Sequence, residues 1–133
     1  LTIHGDGHAS RDWLYVDDTG EAIEAIIAAP LENVAGEVLN VATGIDISVS
    51  EIAARVLDAL DKPHDLTTHV PERLGQVDRH IGSTDKMERL TGFRARTSFD
   101  EGLARTIDWY RENEAWWREV LARPSGVAGA SSS

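Results

Sequence analysis

The chain of 133 residues is 41% hydrophobic and 27% charged, with a formal net charge of -10. These are the proportions of one globular domain large enough to bury its own core. The acidic balance argues against unspecific binding to nucleic acid or to an anionic membrane. The absence of cysteine excludes disulfides and thiolate metal centres, and no apolar run approaches the roughly 20 residues of a membrane span.

Residues 1–4 read as a short strand entering the Gly5-Asp6-Gly7 turn, where glycine admits a positive φ. Residues 11–16 return as a second strand, with Trp13 and Tyr15 on one face and Leu14 and Val16 on the other. A helix follows from Asp17. Asp18 and Glu21 have capping-box spacing, Ile23, Ile26 and Ile27 form the expected buried stripe, and Pro30 stops it. After a connector at 31–36, residues 37–42 read as a strand. Ser48 and Glu51 cap a second helix whose apolar residues, Val49, Ile52, Ala53, Val56, Leu57 and Leu60, keep helical spacing. Residues 65–71 are a further strand, and strand–helix–strand predicts a βαβ unit with parallel strands. Residues 72–82 carry no sustained period and are expected as a loop. Ser83-Thr84-Asp85 starts a short helix that ends at Gly92. Ser98 to Glu101 is a third capping box, opening a long helix with Phe99, Leu103, Ile107 and Tyr110 on one side. The predicted class is therefore α/β: one domain over residues 1–122, with a long C-terminal helix and a disordered Gly/Ala/Ser tail over 123–133.

The chemistry-bearing residues are binding groups rather than catalysts. No glycine-rich turn opens a helix as a dinucleotide site requires, no Tyr-x-x-x-Lys pair is present, and no serine sits in a nucleophile elbow. His4 and His8 lie on a turn, not on one helical face, so no metal site is expected. Arg11 heads a short apolar run. A guanidinium there suits phosphate oxygens two at a time, although a strand arginine also commonly makes a surface ion pair. Asn40 is placed near the carboxyl end of a predicted parallel strand, either as a ligand group or as an asparagine satisfied by backbone. Arg73 and Gln76 fall in the irregular loop, where a second arginine would complete a diphosphate clamp and an amide would reach a ribose hydroxyl or base edge. Residues 72–96 hold six Lys/Arg against four Asp/Glu, a locally basic stretch in an acidic chain.

In order, Ile3 to Gly7, Arg11-Asp12-Trp13-Leu14-Tyr15-Val16-Asp17-Asp18, Val38-Leu39-Asn40-Val41, Arg73 to Arg79, Ser98 to Leu103, and Trp109 to Asn113 with Trp116-Trp117 resemble the carboxyl-terminal half of NAD-dependent nucleotide-sugar epimerases and dehydratases. These are extended short-chain dehydrogenase/reductases. The ending is most similar to dTDP-glucose 4,6-dehydratases, with UDP-glucose 4-epimerases as the alternative. The resemblance implies a Rossmann domain, holding NAD and the catalytic Tyr/Lys pair, that would precede Leu1. This chain would then be a fragment of a longer enzyme, inactive alone, with no catalytic, cofactor-binding or metal residue of its own. It implies that Arg11 and Arg73 contact the diphosphate, that Asn40 helps hold phosphate and sugar, and that Thr2 and His4 line the base. Gln76 stands where dehydratases often carry His and epimerases Asp. The implied parent is a cytoplasmic homodimer acting on a nucleotide-diphosphate sugar, and its missing domain would pack near the first helix and the Asn40 strand. Two other expectations stand beside this one: a stand-alone nucleotide-diphosphate-binding module, and an α/β interaction domain whose arginines make only surface pairs.

Overall fold

In the computed structural model, residues 1–122 are described; the tail expected at 123–133 lies outside them. The elements in chain order are β1 (Thr2–His4), β2 (Ser10–Asp12), α1 (Val16–Ala28), α2 (Leu31–Val34), β3 (Asp46–Ser48) and α3 (Val49–Ala59). A 3-10 turn (His64–Leu66), β4 (Thr68–Val70), β5 (Arg79–His80), α4 (Asp85–Thr91), α5 (Phe99–Glu112) and α6 (Glu114–Ala122) follow. The class is mixed α/β, as expected, with short strands and a helical carboxyl end. No described helix is long and apolar enough to cross a membrane.

The strands form two small sheets. β1 pairs with β4 in parallel, Thr2 opposite Thr68 and His4 opposite Val70. β2 is the middle of a three-stranded sheet, antiparallel to β3 and parallel to β5. Because side chains alternate along a strand, the register separates two faces. Arg11 lies opposite Ile47 on one side and His80 on the other, so these three share a face. Ser10, Asp12, Asp46, Ser48 and Arg79 share the opposite one. There Arg79 donates two hydrogen bonds to the Asp46 carboxylate, each at 2.8 Å, and the Ser10 hydroxyl donates a third at 2.6 Å. These donors hold the Asp46 carboxyl far below the ordinary carboxylate range, the Arg79 bonds contributing most and Ser10 next. This polar staple ties β3 to β5 across β2.

Several sequence expectations change here. Residues 11–16 are not one strand: β2 ends at Asp12 and α1 already begins at Val16. β1 and β2 do not form a hairpin, because their partners lie elsewhere in the chain. Residues 38–42 form no strand, and their backbone makes no backbone hydrogen bond among the described residues. A strand needs a ladder partner, and none lies beside this segment. The parallel partner of 68–70, across α3, is therefore β1 rather than 37–42. The loop expected at 72–82 contains β5, which β2 recruits.

The helices follow local sequence more closely. The Ser48 hydroxyl accepts from the Glu51 N–H while the Glu51 carboxylate accepts from the Ser48 N–H, the reciprocal cap expected. Glu51 is held below its usual carboxyl range chiefly by the Ser48 side chain. α4 ends on Gly92 at φ 75°. Ser98 caps α5 through the Glu101 N–H, but the Glu101 carboxylate bonds Arg105 instead of returning to the cap. α1 departs most. Its N-cap, Tyr15, makes no side-chain bond, and Ile23 and Ile27 are exposed while Ala22 is buried. Asp18, expected as a cap, is 2% exposed. Its carboxylate accepts from the backbone N–H groups of Arg96 and Thr97, both at 3.2 Å, and so pins the approach to α5 onto α1. The core is Ile3, Ala22, Ala42, Ile47, Ala53, Leu57 and Met87, the last on α4, which packs beside α1 and α2.

Candidate functional site

The central strand positions the site. β2 carries Arg11 half-buried, on the face of the sheet away from the Asp46–Arg79 staple. A cleft of about 510 Å³ opens there, bounded by Arg11, Asp12, residues 39–42 and residues 80–82. Asn40 and His80 stand on its walls. The floor is narrow because Gly82 passes close to Ala42: a Cβ placed on Gly82 would come within 2.6 Å of the Ala42 Cβ. A side chain at 82 would push residues 39–42, and Asn40 with them.

Charge is arranged unequally around this cleft. The Asp12 carboxylate is consumed by the Thr43 N–H at 2.8 Å, the Thr43 hydroxyl at 2.7 Å and the Gly44 N–H at 2.8 Å. Those bonds anchor the end of the 39–42 segment to β2. Arg11, by contrast, has no carboxylate within ion-pair distance among the described residues. It uses one of its N–H donors on the Ser10 carbonyl, at 2.7 Å, and a guanidinium has five. Half-buried cations ordinarily acquire a partner. The surface ion pair that a strand arginine commonly makes is present in this sheet, but Arg79 makes it. Asn40 is exposed and its amide makes no hydrogen bond among the described residues, so it is not an asparagine satisfied by backbone.

The remaining sequence candidates lie along a second line. Thr2 and His4 are on β1, and the His4 ring N–H donates to the Pro71 carbonyl at 3.2 Å. This holds the end of β1 against the start of the loop that carries Arg73 and Gln76. Arg73 is exposed, Gln76 half-buried, and their turn is closed by the Gln76 N–H on the Arg73 carbonyl at 3.2 Å. Neither lines the Arg11 cleft. The loop does end beside it, where the Ser10 N–H donates to the Asp78 carbonyl at 2.8 Å and β5 begins. Arg73, like Arg11, has no ion-pair partner among the described residues. The structure thus brings Arg11 and Asn40 into one cleft, sets Thr2 and His4 at the root of the Arg73–Gln76 loop, and connects the two groups through residues 71–78. His80, one of five histidines expected in loops or strand ends, was given no role from the sequence because nothing local marks β5. Its one signal was a histidine closing a run with two nearby arginines.

Comparison with known proteins gives this geometry its context. The sequence profile of a family described as GDP-mannose 4,6 dehydratase matches residues 1–106. A dTDP-glucose 4,6-dehydratase of Streptomyces niveus is 36% identical over 130 residues, which is 98% of this chain and 38% of that protein. Among solved structures, DesIV of Streptomyces venezuelae, a dTDP-glucose 4,6-dehydratase with NAD and TYD bound, superposes with a TM-score of 0.82. It is 34% identical, over 90% of this chain and 36% of that one. A UDP-glucose 4-epimerase of Thermotoga maritima, solved with UDP-glucose, gives a TM-score of 0.76 at 28% identity, over 86% and 35% of the two chains. The chain therefore spans little more than a third of the length of the relatives it matches.

Proposed function

The chain belongs to the GDP-mannose 4,6 dehydratase family of NAD-dependent epimerases and dehydratases, and we propose that it is the substrate-binding part of a nucleotide-sugar 4,6-dehydratase acting on dTDP-glucose. One observation carries this reading. A half-buried arginine without a carboxylate partner shares a cleft with an asparagine that has no hydrogen bond of its own. Such a pair fits an anionic, hydroxyl-bearing ligand. The guanidinium takes phosphate oxygens and the amide takes a phosphate or sugar oxygen. Arg73 would meet the same diphosphate from the loop side, with Gln76 on the nucleoside and Thr2 and His4 against the base.

The described residues do not fit NAD. The Gly5-Asp6-Gly7 turn leads to β2 rather than to a helix N-terminus, so it offers no cradle for a dinucleotide pyrophosphate. Any NAD of the enzyme would be held by sequence outside this chain. What these residues do is bind and orient: they fix the nucleotide so that the sugar is presented at a set position and angle, a contribution of geometry rather than of proton transfer.

The test is made on the full product of the reading frame. With NAD supplied, dTDP-glucose should lose one water and become a 4-keto-6-deoxy sugar nucleotide, read by mass spectrometry. Arg11→Ala should weaken sugar-nucleotide binding by about tenfold or more, the cost of a charge-assisted phosphate contact. Inversion at C4 without loss of water would favour a 4-epimerase, the activity of the Thermotoga maritima neighbour. Binding without turnover would favour a module that only holds nucleotide diphosphates.

A further inference from the structure

We propose that His80 is a second phosphate donor beside Arg11, one that positions the diphosphate of a nucleotide sugar and tightens its binding as the imidazole gains a proton. The inference rests on reading the Arg11 cleft as the sugar-nucleotide site, and it adds a residue and a pH response to that site.

The geometry comes from the sheet. His80 is the register partner of Arg11 across the parallel β2–β5 pair, so both side chains leave the same face of adjacent strands. Neighbouring strands lie about 4.8 Å apart, which is within reach of two non-bridging oxygens of one diphosphate. Both residues line the cleft. His80 is exposed and has no hydrogen-bond or ion-pair partner among the described residues. The other four histidines differ. His4 and His69 bond backbone carbonyls, and His8 and His64 bond Asp6 and Asp58. The histidine in the cleft is the one left uncommitted.

The charged surroundings leave that imidazole to answer a ligand. On β2, Arg11 is cationic and Asp12 is occupied by Thr43 and Gly44. Residues 39–42 and 81–82 contribute no ionisable side chain. On β5 itself, Arg79 is bound to Asp46 on the opposite face. Asp78 precedes β5 and does not line the cleft, and Lys86, on α4, is paired with Glu37. An anion placed against the imidazole and the guanidinium favours the protonated ring, and a diphosphate supplies one. Ligand and proton therefore bind cooperatively, because a cationic ring donates to phosphate more strongly than a neutral one.

Calorimetry on the full product of the reading frame tests this, with dTDP-glucose and UDP-glucose as titrants. A sugar diphosphate has no phosphate proton titrating near neutrality, whereas a free nucleoside diphosphate does, so its pH response reports on the protein. Wild type should bind roughly tenfold more tightly at about pH 5.5 than at about pH 8. His80→Phe should bind no more tightly than wild type at the higher pH and lose the dependence. His80→Lys should restore tight binding at the higher pH. The His80 ring-proton resonance should titrate at higher pH with ligand bound than without. A His80→Phe protein that keeps the wild-type slope, or a wild type that binds equally at both pH values, overturns the role given to His80 and leaves the cleft assignment intact. No binding by wild type at either pH overturns the cleft assignment, and His80's role with it.

Discussion

Single residues whose neighbours are distant in sequence separate this fold from the one its sequence suggests. Asp18 has capping-box spacing, yet its carboxylate serves backbone 78 and 79 residues away, on Arg96 and Thr97. Nothing between positions 17 and 21 announces that. Because Asp18 is buried, Asp18→Ala would leave two N–H groups without an acceptor and should cost about 2–3 kcal/mol, read as a lower urea midpoint with unchanged slope. A loss under about 0.5 kcal/mol, the level of an exposed site, would mean that water replaces the carboxylate. Asp46 makes a different prediction. Its carboxyl is held low by Arg79 and then Ser10, so the staple contributes fully above the unfolded-state pKa of about 4. The contribution is lost as pH falls from there towards the depressed native value. Asp46→Asn should therefore flatten the acid side of the stability–pH curve below about pH 4 and leave its shape near neutrality unchanged. An unaltered acid limb in thermal melts would show that the pair is solvated away. Arg11 was readable as a candidate for phosphate from its residue type. That Arg79 and not Arg11 takes the ion pair depends on which face each side chain leaves, and only the register fixes that.

Helices were legible where their signals are local, and strands were not. The caps at Ser48 and Ser98, the glycine stop at Gly92 and the apolar spacing of α3 all lie within a few residues of what they control. Ser48→Ala should consequently cost about 1 kcal/mol, because it removes one half of a reciprocal cap, and His69→Ala, outside α3, should leave that helix's cap intact. Amide exchange over residues 49–52 is the measurement; protection equal to wild type would show that packing alone starts α3. Strand limits failed because a strand exists only through its partner. β5 is two residues with no pattern of its own, made by its place beside β2. Residues 37–42 have the composition of a strand and find no ladder. α1 failed for a related reason: its isoleucines set the expected stripe, while the packed side is Asp18 and Ala22. Close approach of a neighbouring side chain selects small residues, as it does at Gly102, where an added Cβ would lie 3.0 Å from the Tyr15 ring.

At the scale of the molecule, apolar surface is left over along much of the chain, and one stretch bears on the resemblance. Ile23 and Ile27 on α1, Leu31 on α2 and Val38 in the unpaired segment are all exposed, Ile27 by 78% and Val38 by 80%. Together they follow one stretch of chain, 23–38, that sequence resemblance placed near a further domain. The 133-residue chain by itself should bind a hydrophobic dye and associate at micromolar concentration, seen as a rising sedimentation coefficient. Ile27→Glu with Val38→Glu should suppress both. A wild-type chain that stays monomeric and dark would count against a covering domain. The order of the elements also has a consequence in time. Arg11 is on the second strand of the chain, but its sheet neighbours come at 46–48 and 79–80. During synthesis β2 can complete its sheet only once residues 46–48 and then 79–80 have left the ribosome. The face proposed to take the diphosphate is thus finished late, and the proposed sugar nucleotide would recognise only chains that have completed their topology.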